Sequence, residues 1–228
     1  MIEFEHVHKS YPTRSGRKVV LDDLNMAFDT RKNIGILGLN GAGKSTLLRL
    51  ISGVELPERG HIRRGASISF PLGYVACFAG NMSGRENAAF LARVYGYDVQ
   101  EVVGFVESFA ELGEYFDEPV RNYSSGMSSR LGFGASIALE FDVYLIDEGF
   151  SAGDARFTAR CQAAFKERLI NSRVIMVSHA TEMLLTYCEV GAILHQGRLK
   201  FYDDIRDAVS HYNDIVSDPL KTLEGRKA

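Results

Sequence analysis

The chain has 228 residues, enough to bury a substantial core in one domain or in two closely joined lobes. Its 26 basic and 29 acidic side chains leave a net charge of −3, without the basic excess typical of a nucleic-acid binder. Apolar residues at 46% and charged residues at 24% exclude general disorder. No repeat or low-complexity segment interrupts the chain. The acidic start Met1-Ile2-Glu3-Phe4-Glu5 has no apolar signal region, and Ile2 to Val7 alternates as a half-buried strand does. His6 and His8 fall on one face of that strand without a third ligand, so no metal site is expected there. Tyr11 to Lys18, with Pro12 and Gly16, reads as a polar turn ahead of the apolar Val19-Val20-Leu21. Ile34 to Leu37 is a short apolar run that stops at a glycine loop, and a helical pattern follows from Ser45 to Ile51. Arg59, His61, Arg63 and Arg64, near Gly60 and Gly65, read as a solvated hairpin.

The uncharged stretch from Gly65 to Gly84 is broken by Ser67, Ser69, Pro71, Gly73, Gly80, Asn81 and Ser83, so strand and loop fit it better than a membrane helix. Ser83-Gly84-Arg85-Glu86 has the form of a capping box, in front of Phe90, Leu91 and Val94. Asp98 and Glu101 mark a second helix start, with Val99, Val102, Val103 and Val106 along one face. A third helix is expected from near Met127 towards Glu140. Val143 to Ile146 reads as a buried strand ending in Asp147-Glu148, and Arg173 to Val177 as another. Strands and helices on either side of a helical block predict a parallel α/β core with an inserted helical lobe. The polar C-terminal end predicts a peripheral helix and a loose tail. Cys77, Cys161 and Cys188 are widely spaced and suit a reducing compartment, with Cys161 and Cys188 as small core residues.

Gly38-Leu39-Asn40-Gly41-Ala42-Gly43-Lys44-Ser45 matches the phosphate-loop pattern G-x-x-x-x-G-K-[ST]. Its glycines let backbone amides curl around phosphate oxygens, and the following helix points its positive end at the same charge. In that pattern Lys44 neutralises the β- and γ-phosphates and Ser45 holds Mg²⁺. Chance matches in a chain of this length arise roughly once in a hundred by average residue usage. The apolar strand then delivers Asp147 to its end as a Mg²⁺ ligand, direct or through water, with Glu148 placed to polarise the attacking water.

Between these two sites lies Tyr123-Ser124-Ser125-Gly126-Met127, where Ser124 or Ser125 can cap the next helix. At this point the chain resembles the nucleotide-binding subunit of ABC transporters, whose signature reads LSGGQ. Here Tyr123, Ser125 and Met127 depart from it, while a serine and a glycine remain. Other elements fall in the family's order over roughly residues 1 to 205. Tyr11 sits where an aromatic ring stacks on adenine, Ser151-Ala152-Gly153-Asp154 resembles the D-loop, and His179 resembles the switch histidine that contacts the γ-phosphate. The closer likeness is to the capsular polysaccharide export group. It rests on Lys9-Ser10-Tyr11, Ser83-Gly84-Arg85-Glu86-Asn87, the Tyr123 to Met127 run, Phe141 to Glu148, and Gly153-Asp154-Ala155-Arg156-Phe157. Related O-antigen and teichoic acid exporters share much of this, some with a long C-terminal carbohydrate-binding domain, which a chain ending at Ala228 is not expected to carry.

The resemblance implies an α/β P-loop NTPase of ABC-ATPase type, a single domain with an N-terminal β region, a mostly parallel core sheet and an inserted helical lobe. Its core lobe would span about 1–75 and 142–205, its helical lobe about 83–141, and its peripheral tail about 206–228. ATP and Mg²⁺ are the implied cofactors. Gly38, Asn40, Gly41, Ala42, Gly43, Lys44, Ser45 and Thr46 would bind the phosphates and Tyr11 the base. Ser45 and Asp147 would hold the metal, and Glu148, His179 and Lys44 would serve catalysis. Ser124, Ser125, Gly126 and Asp154 would reach the nucleotide of a second copy in a head-to-tail dimer. Such a subunit would power polysaccharide export from the cytoplasmic face of the bacterial inner membrane. It would act through a separate multispanning permease docked near Phe78 to Phe90, without nucleic acid and touching cargo indirectly if at all.

One departure stands out: Ala79 occupies the place of the family's glutamine, which is a Mg²⁺ ligand and a link to the membrane subunit. Gln100, Gln162 and Gln196 are badly placed to substitute, which leaves Asn81 as a candidate. Two rivals follow, a soluble ABC-type ATPase acting on nucleic acid or ribosomes and a nucleotide-gated module impaired in catalysis.

Overall fold

The computed structural model describes residues 1–14, 16–73, 77–147, 154–178 and 180–217, with the backbone of 221–222 and 225–226. The chain forms two compact units, the first from Met1–Ile68, Asp142–Gly149 and Arg173–Ala228, the second from Ser69–Phe141 and Phe150–Ser172.

In the first unit β1 (Ile2–Thr13) and β2 (Gly16–Phe28) pair antiparallel as far as Thr13 and Gly16. Tyr11–Thr13 and Gly16–Lys18 of the segment expected as a turn are therefore ladder, with Tyr11 opposite Lys18 and Pro12 opposite Arg17. Backbone bonds hold this exposed end of the hairpin, so its hydropathy carries no strand signal. The register shifts near His6, which takes a φ of 51°. His6 and His8 each pair with an acid of β2, His6 with Asp23 at 2.8 Å and His8 with Asp22 at 3.4 Å.

The basic cluster forms β4 (Arg59–Arg64), which pairs with the other side of β1, rather than a separate hairpin. Its last guanidinium has a partner. Arg64 donates to the Leu50 and Ile51 carbonyls at 2.6 and 2.7 Å, at the end of α1 (Lys44–Ser52) where helix carbonyls lack amides.

Next to these strands lie β6 (Val143–Asp147), β7 (Arg173–Val177), β3 (Ile34–Leu37) and β8 (Val190–His195), parallel and in that order. The antiparallel β9 (Arg198–Tyr202) follows at the edge. Leu47, Leu48, Leu50 and Ile51 of α1 share one core with Ile34, Ile36, Val143, Leu145, Ile175 and the inward residues Phe4, Leu21 and Phe28. The chain leaves this unit along β5 (Ile68–Pro71).

The C-terminal helix is not peripheral. It follows the short α6 (Thr181–Tyr187), β8 and β9, and packs as α7 (Ile205–Ser217) on β3 and β8, with Ile205, Ala208, Val209 and Ile215 buried. Glycines in the sheet permit the contact: a Cβ on Gly191 would lie 2.3 Å from the Ala208 Cβ, and one on Gly35 would lie 2.7 Å from the Ile205 Cδ1.

The second unit holds α2 (Gly84–Tyr95), α3 (Val99–Ala110), α4 (Ser125–Ala138) and α5 (Ala155–Arg168). Ser83 and Glu86 close the expected capping box. In α2, Ala88, Leu91 and Ala92 face inward, whereas Phe90 and Val94 are 50% and 59% exposed. Phe109 of α3 stacks on Phe133 of α4 and meets Phe157 of α5 edge-on, so α5 belongs with the helical unit and extends it beyond residue 141. Cys161 and Cys188 are buried, and burial pushes both thiols up to about 12. Among the described residues no helix is long and apolar enough to cross a membrane.

Candidate nucleotide site

β3 ends at Leu37 on the carboxyl edge of the sheet, the edge where ligands bind in open α/β folds. Gly38 has no room for a side chain, since a Cβ would lie 2.6 Å from the Leu194 carbonyl oxygen. Gly43 is held at a φ of 107°, and a Cβ there would lie 2.1 Å from Val20 Cγ1. The loop closes on itself through Ala42 N donating to the Leu39 carbonyl at 3.0 Å. Leu39, Asn40 and Gly41 are exposed, and Ser45 lies in the first turn of α1. That helix has no side-chain cap, which leaves its first amides to an anion.

Lys44 is 6% exposed, and its Nζ donates to the Gly38 and Leu39 carbonyls at 2.8 and 3.1 Å. A second ammonium, Lys18 Nζ on β2, donates to the Gly41 carbonyl at 2.8 Å. Two lysines thus bring positive charge to one loop.

The acidic strand meets the same edge. Asp147 of β6 is level with Val177 of β7, and Val177 with Ile36 of β3, just before the loop. Its Oδ1 is buried and has no hydrogen-bond partner among the described residues, a burial that costs free energy unless a cation or water answers it. An acid oxygen left open beside a phosphate loop is a fitting donor for Mg²⁺, and the Ser45 hydroxyl supplies a second hard oxygen. Glu148, His179, and Ser151, Ala152 and Gly153 of the D-loop stretch lie outside the described residues.

Tyr11 is half-buried, and its hydroxyl donates to Glu55 Oε1 at 2.6 Å and lies 3.4 Å from Thr46 Oγ1.

In the second unit Ser124, not Ser125, is the cap of α4: its Oγ accepts from Met127 N at 3.2 Å. Ser125 is exposed, and a Cβ on Gly126 would meet only Ser124 Oγ, at 3.9 Å. Asp154 caps α5 by accepting from Phe157 N at 2.9 Å, and its other oxygen accepts from Arg130 Nη2 at 2.9 Å. The Phe157 amide first, and then the Arg130 charge, hold the Asp154 carboxyl below its usual range. Arg130 also lies over the Phe157 ring, 4.7 Å from its centroid.

Ala79 offers only backbone. Its N–H donates to Asn87 Oδ1 at 2.9 Å, and Asn87 Nδ2 donates back to the Ala79, Met82 and Ser83 carbonyls. Asn81 accepts from Arg121 Nη1 at 2.8 Å, so its side chain has a local partner. The reading of residue types missed Lys18, Arg49, Glu55, Asn87 and Arg130. Only the Thr46–Arg49 pair, spaced as neighbours on a helix, left a trace.

A glycine loop with a buried lysine, set between a parallel strand and an uncapped helix and level with an orphaned acid, defines a P-loop nucleotide-binding protein. The sequence profile of the ABC transporter family matches residues 21–151. The capsule polysaccharide export ATP-binding protein CtrD of Neisseria meningitidis serogroup B is 45% identical over 215 residues, covering 94% of this chain and all of that one. A polysialic acid transport ATP-binding protein, KpsT of Escherichia coli, is 46% identical over 93% of this chain and 98% of its own. Among solved structures, the ATP-binding subunit of an ABC transporter superposes with a TM-score of 0.70 at 20% identity, over 96% of this chain and all of that one. A dimeric post-hydrolysis cassette, MJ0796 bound to ADP and phosphate, gives 0.68 at 19% identity over 88% and 98%. The chain belongs to the ABC transporter family of ATP-binding proteins, as its motifs imply.

Proposed function

We propose that this chain is the ATP-hydrolysing subunit that powers export of a capsule-type polysaccharide through a separate membrane-spanning subunit. The observation that carries this is end-to-end similarity, at 44 to 46% identity, to ATP-binding proteins named for capsule polysaccharide export and polysialic acid transport. Two copies face head to tail at the cytoplasmic face of the bacterial inner membrane. Each nucleotide lies between one copy's phosphate loop and the Tyr123–Met127 segment of the other.

Lys44 and the loop amides hold the β- and γ-phosphates, and Tyr11 receives the base. Bound Mg²⁺ neutralises phosphate charge, with Ser45 and Asp147 as its protein ligands. Glu148 orients the water that attacks the γ-phosphate, and His179 contacts that phosphate. Ser125, Gly126 and Asp154 act on the partner's nucleotide, Asp154 from the place that Arg130 gives it. The surface from Phe78 to Phe90 docks the membrane subunit, and the polymer does not touch this chain.

A pull-down on a tagged chain from detergent-solubilised native membranes tests this, with hydrolysis assayed on the recovered complex. The expected result is a multispanning partner and hydrolysis that Glu148→Gln abolishes while ATP binding persists. Recovery of no membrane protein, or of nucleic acid that survives high salt, would overturn it.

A further inference from the structure

Where β1 meets the start of α1 lies a cluster of polar side chains of which the phosphate reading uses Thr46 alone. Lys9 and Tyr11 come from β1, Thr46 and Arg49 from α1, and Glu55 from the loop after α1. Glu55 is its hub. Oε1 accepts from the Tyr11 hydroxyl at 2.6 Å and pairs with the Lys9 ammonium at 2.7 Å, while Oε2 accepts from Arg49 Nε at 3.0 Å. Arg49 Nη2 passes the connection on to Thr46 Oγ1 at 3.1 Å. Lys9 is further fixed by the Leu56 carbonyl at 2.9 Å, and Glu55 N donates to the Arg49 carbonyl at 3.1 Å. Burial works against the Glu55 carboxylate, yet the bonds from Lys9, Tyr11 and Arg49 outweigh it and hold the group near a pKa of about 2.

This is more than a tyrosine needs in order to pack. A phenol whose oxygen is tied to an ionised carboxylate has its ring fixed at the far end as well as at Cβ. That carboxylate is in turn bonded to the helix carrying Thr46, next to Ser45 and Lys44. The Lys9 ammonium lies over the ring, 5.4 Å from its centroid, while Tyr11 stays half-buried and so partly open. An aromatic surface held this way loses little side-chain entropy when a flat ligand lies on it.

We propose that Glu55, together with Lys9 and Arg49, is a positioning residue for the nucleobase: it sets the Tyr11 ring at a fixed place relative to Thr46 and the phosphate loop. Base and phosphates of one nucleotide are thereby received in register. The proposal rests on the reading of Tyr11 as the surface that receives the base, and its test separates the two.

The test measures binding of ATP and of inorganic tripolyphosphate, which has no base, to the full chain and to Tyr11→Ala, Glu55→Gln, Lys9→Met and the double variant Tyr11→Ala/Glu55→Gln. Glutamine keeps the shape of Glu55 but turns an amide donor towards Lys9, Tyr11 and Arg49. Stacking of a base on an aromatic ring is lost in Tyr11→Ala, which should weaken ATP about tenfold, or about 1.4 kcal/mol. Glu55→Gln should weaken ATP by about threefold to tenfold and leave tripolyphosphate unchanged, Lys9→Met should do so to a smaller degree, and the double variant should be no worse than Tyr11→Ala alone.

Equal loss of ATP and tripolyphosphate in Glu55→Gln would place its action on the phosphate loop or on folding and overturn the proposal. Unchanged ATP binding in both Glu55→Gln and Lys9→Met, with loss in Tyr11→Ala, would overturn the proposal but keep the reading of Tyr11. Unchanged ATP binding in Tyr11→Ala would remove that reading, and the proposal with it.

Discussion

The two helix starts at the centre of the function are built in opposite ways. α1 begins at Gly43, in a left-handed conformation with no side-chain cap, and a buried lysine folds back over the loop that feeds it. α4 begins at Ser124, in an extended conformation, with its hydroxyl already spent on Met127 N. The first start keeps its amides for a ligand and supplies the matching charge from its own chain. The second is satisfied locally and leaves Ser125 exposed, and a Cβ on Gly126 would meet only Ser124 Oγ. In the proposed dimer, one chain thus carries a phosphate site with its own counter-charge and a surface that completes another.

The most direct way to break this contrast is to remove the buried charge. Lys44→Ala should lower ATP turnover about 10²–10³-fold, the scale of losing one preorganised donor to a transition state. It should weaken ATP binding in the isolated chain as well, by calorimetry or filter binding. Ser124→Ala should instead cost α4 about 1 kcal/mol of cap energy by denaturant titration. It should leave ATP binding by the isolated chain unchanged and lower turnover only where two copies act together. If Ser124→Ala weakened ATP binding by the isolated chain as much as Lys44→Ala, the two starts would not differ in kind.

Gly43→Ala sharpens the structural half of the contrast. A methyl group at a φ of 107° and 2.1 Å from Val20 Cγ1 must move the loop or β2, at a cost of about 1–3 kcal/mol in strain. A lower denaturation midpoint and lost tripolyphosphate binding are expected. Gly126→Ala, whose Cβ meets only Ser124 Oγ at 3.9 Å, should leave stability within about 0.5 kcal/mol, apart from helix propensity.

The phosphate loop was legible because its chemistry is local, with glycines, lysine and serine adjacent in sequence and bracketed by an apolar strand and a helical pattern. Asp147 was legible for the same reason, at the end of four apolar residues. The Glu55 hub was not, because its members lie in three separate segments and each alone is an ordinary polar side chain. Arg130, which ties down Asp154, was hidden likewise, since the pairing exists only once α4 and α5 are packed. In the fold, polar character misled where backbone bonding or glycine contacts decide. Tyr11–Thr13 and Gly16–Lys18 are ladder rather than turn, and α7 packs on the sheet through Gly35 and Gly191. Phe90 and Val94, apolar and four residues apart, lie on the outer side of α2.

Arg130→Met should have a smaller effect, barely measurable on stability, since Asp154 is mostly exposed and keeps its cap to Phe157 N. Turnover should fall more than stability does, because the Asp154 carboxylate loses the partner that sets its direction. Equal losses would reduce the pair to scaffolding.

Acid titration is the finest probe, and it returns to the first unit. The folded pKa of Glu55, about 2, lies below its ordinary 4.5, so as pH falls the unfolded chain takes up the proton first. Its stabilising contribution is therefore full above about pH 4.5, declines as pH falls towards 2, and is gone below that. Other carboxylates titrate in the same window, among them Asp204, held at about 2 by Arg206. The wild-type curve alone is thus uninformative, and the difference between wild type and Glu55→Gln is the quantity to follow. In urea titrations at intervals from pH 6 to 3, that difference should be constant down to about 4.5 and shrink below it. A difference that stayed flat to pH 3 would mean that Glu55 holds Lys9, Tyr11 and Arg49 by shape rather than by charge. The hub would then differ little from a packed core residue.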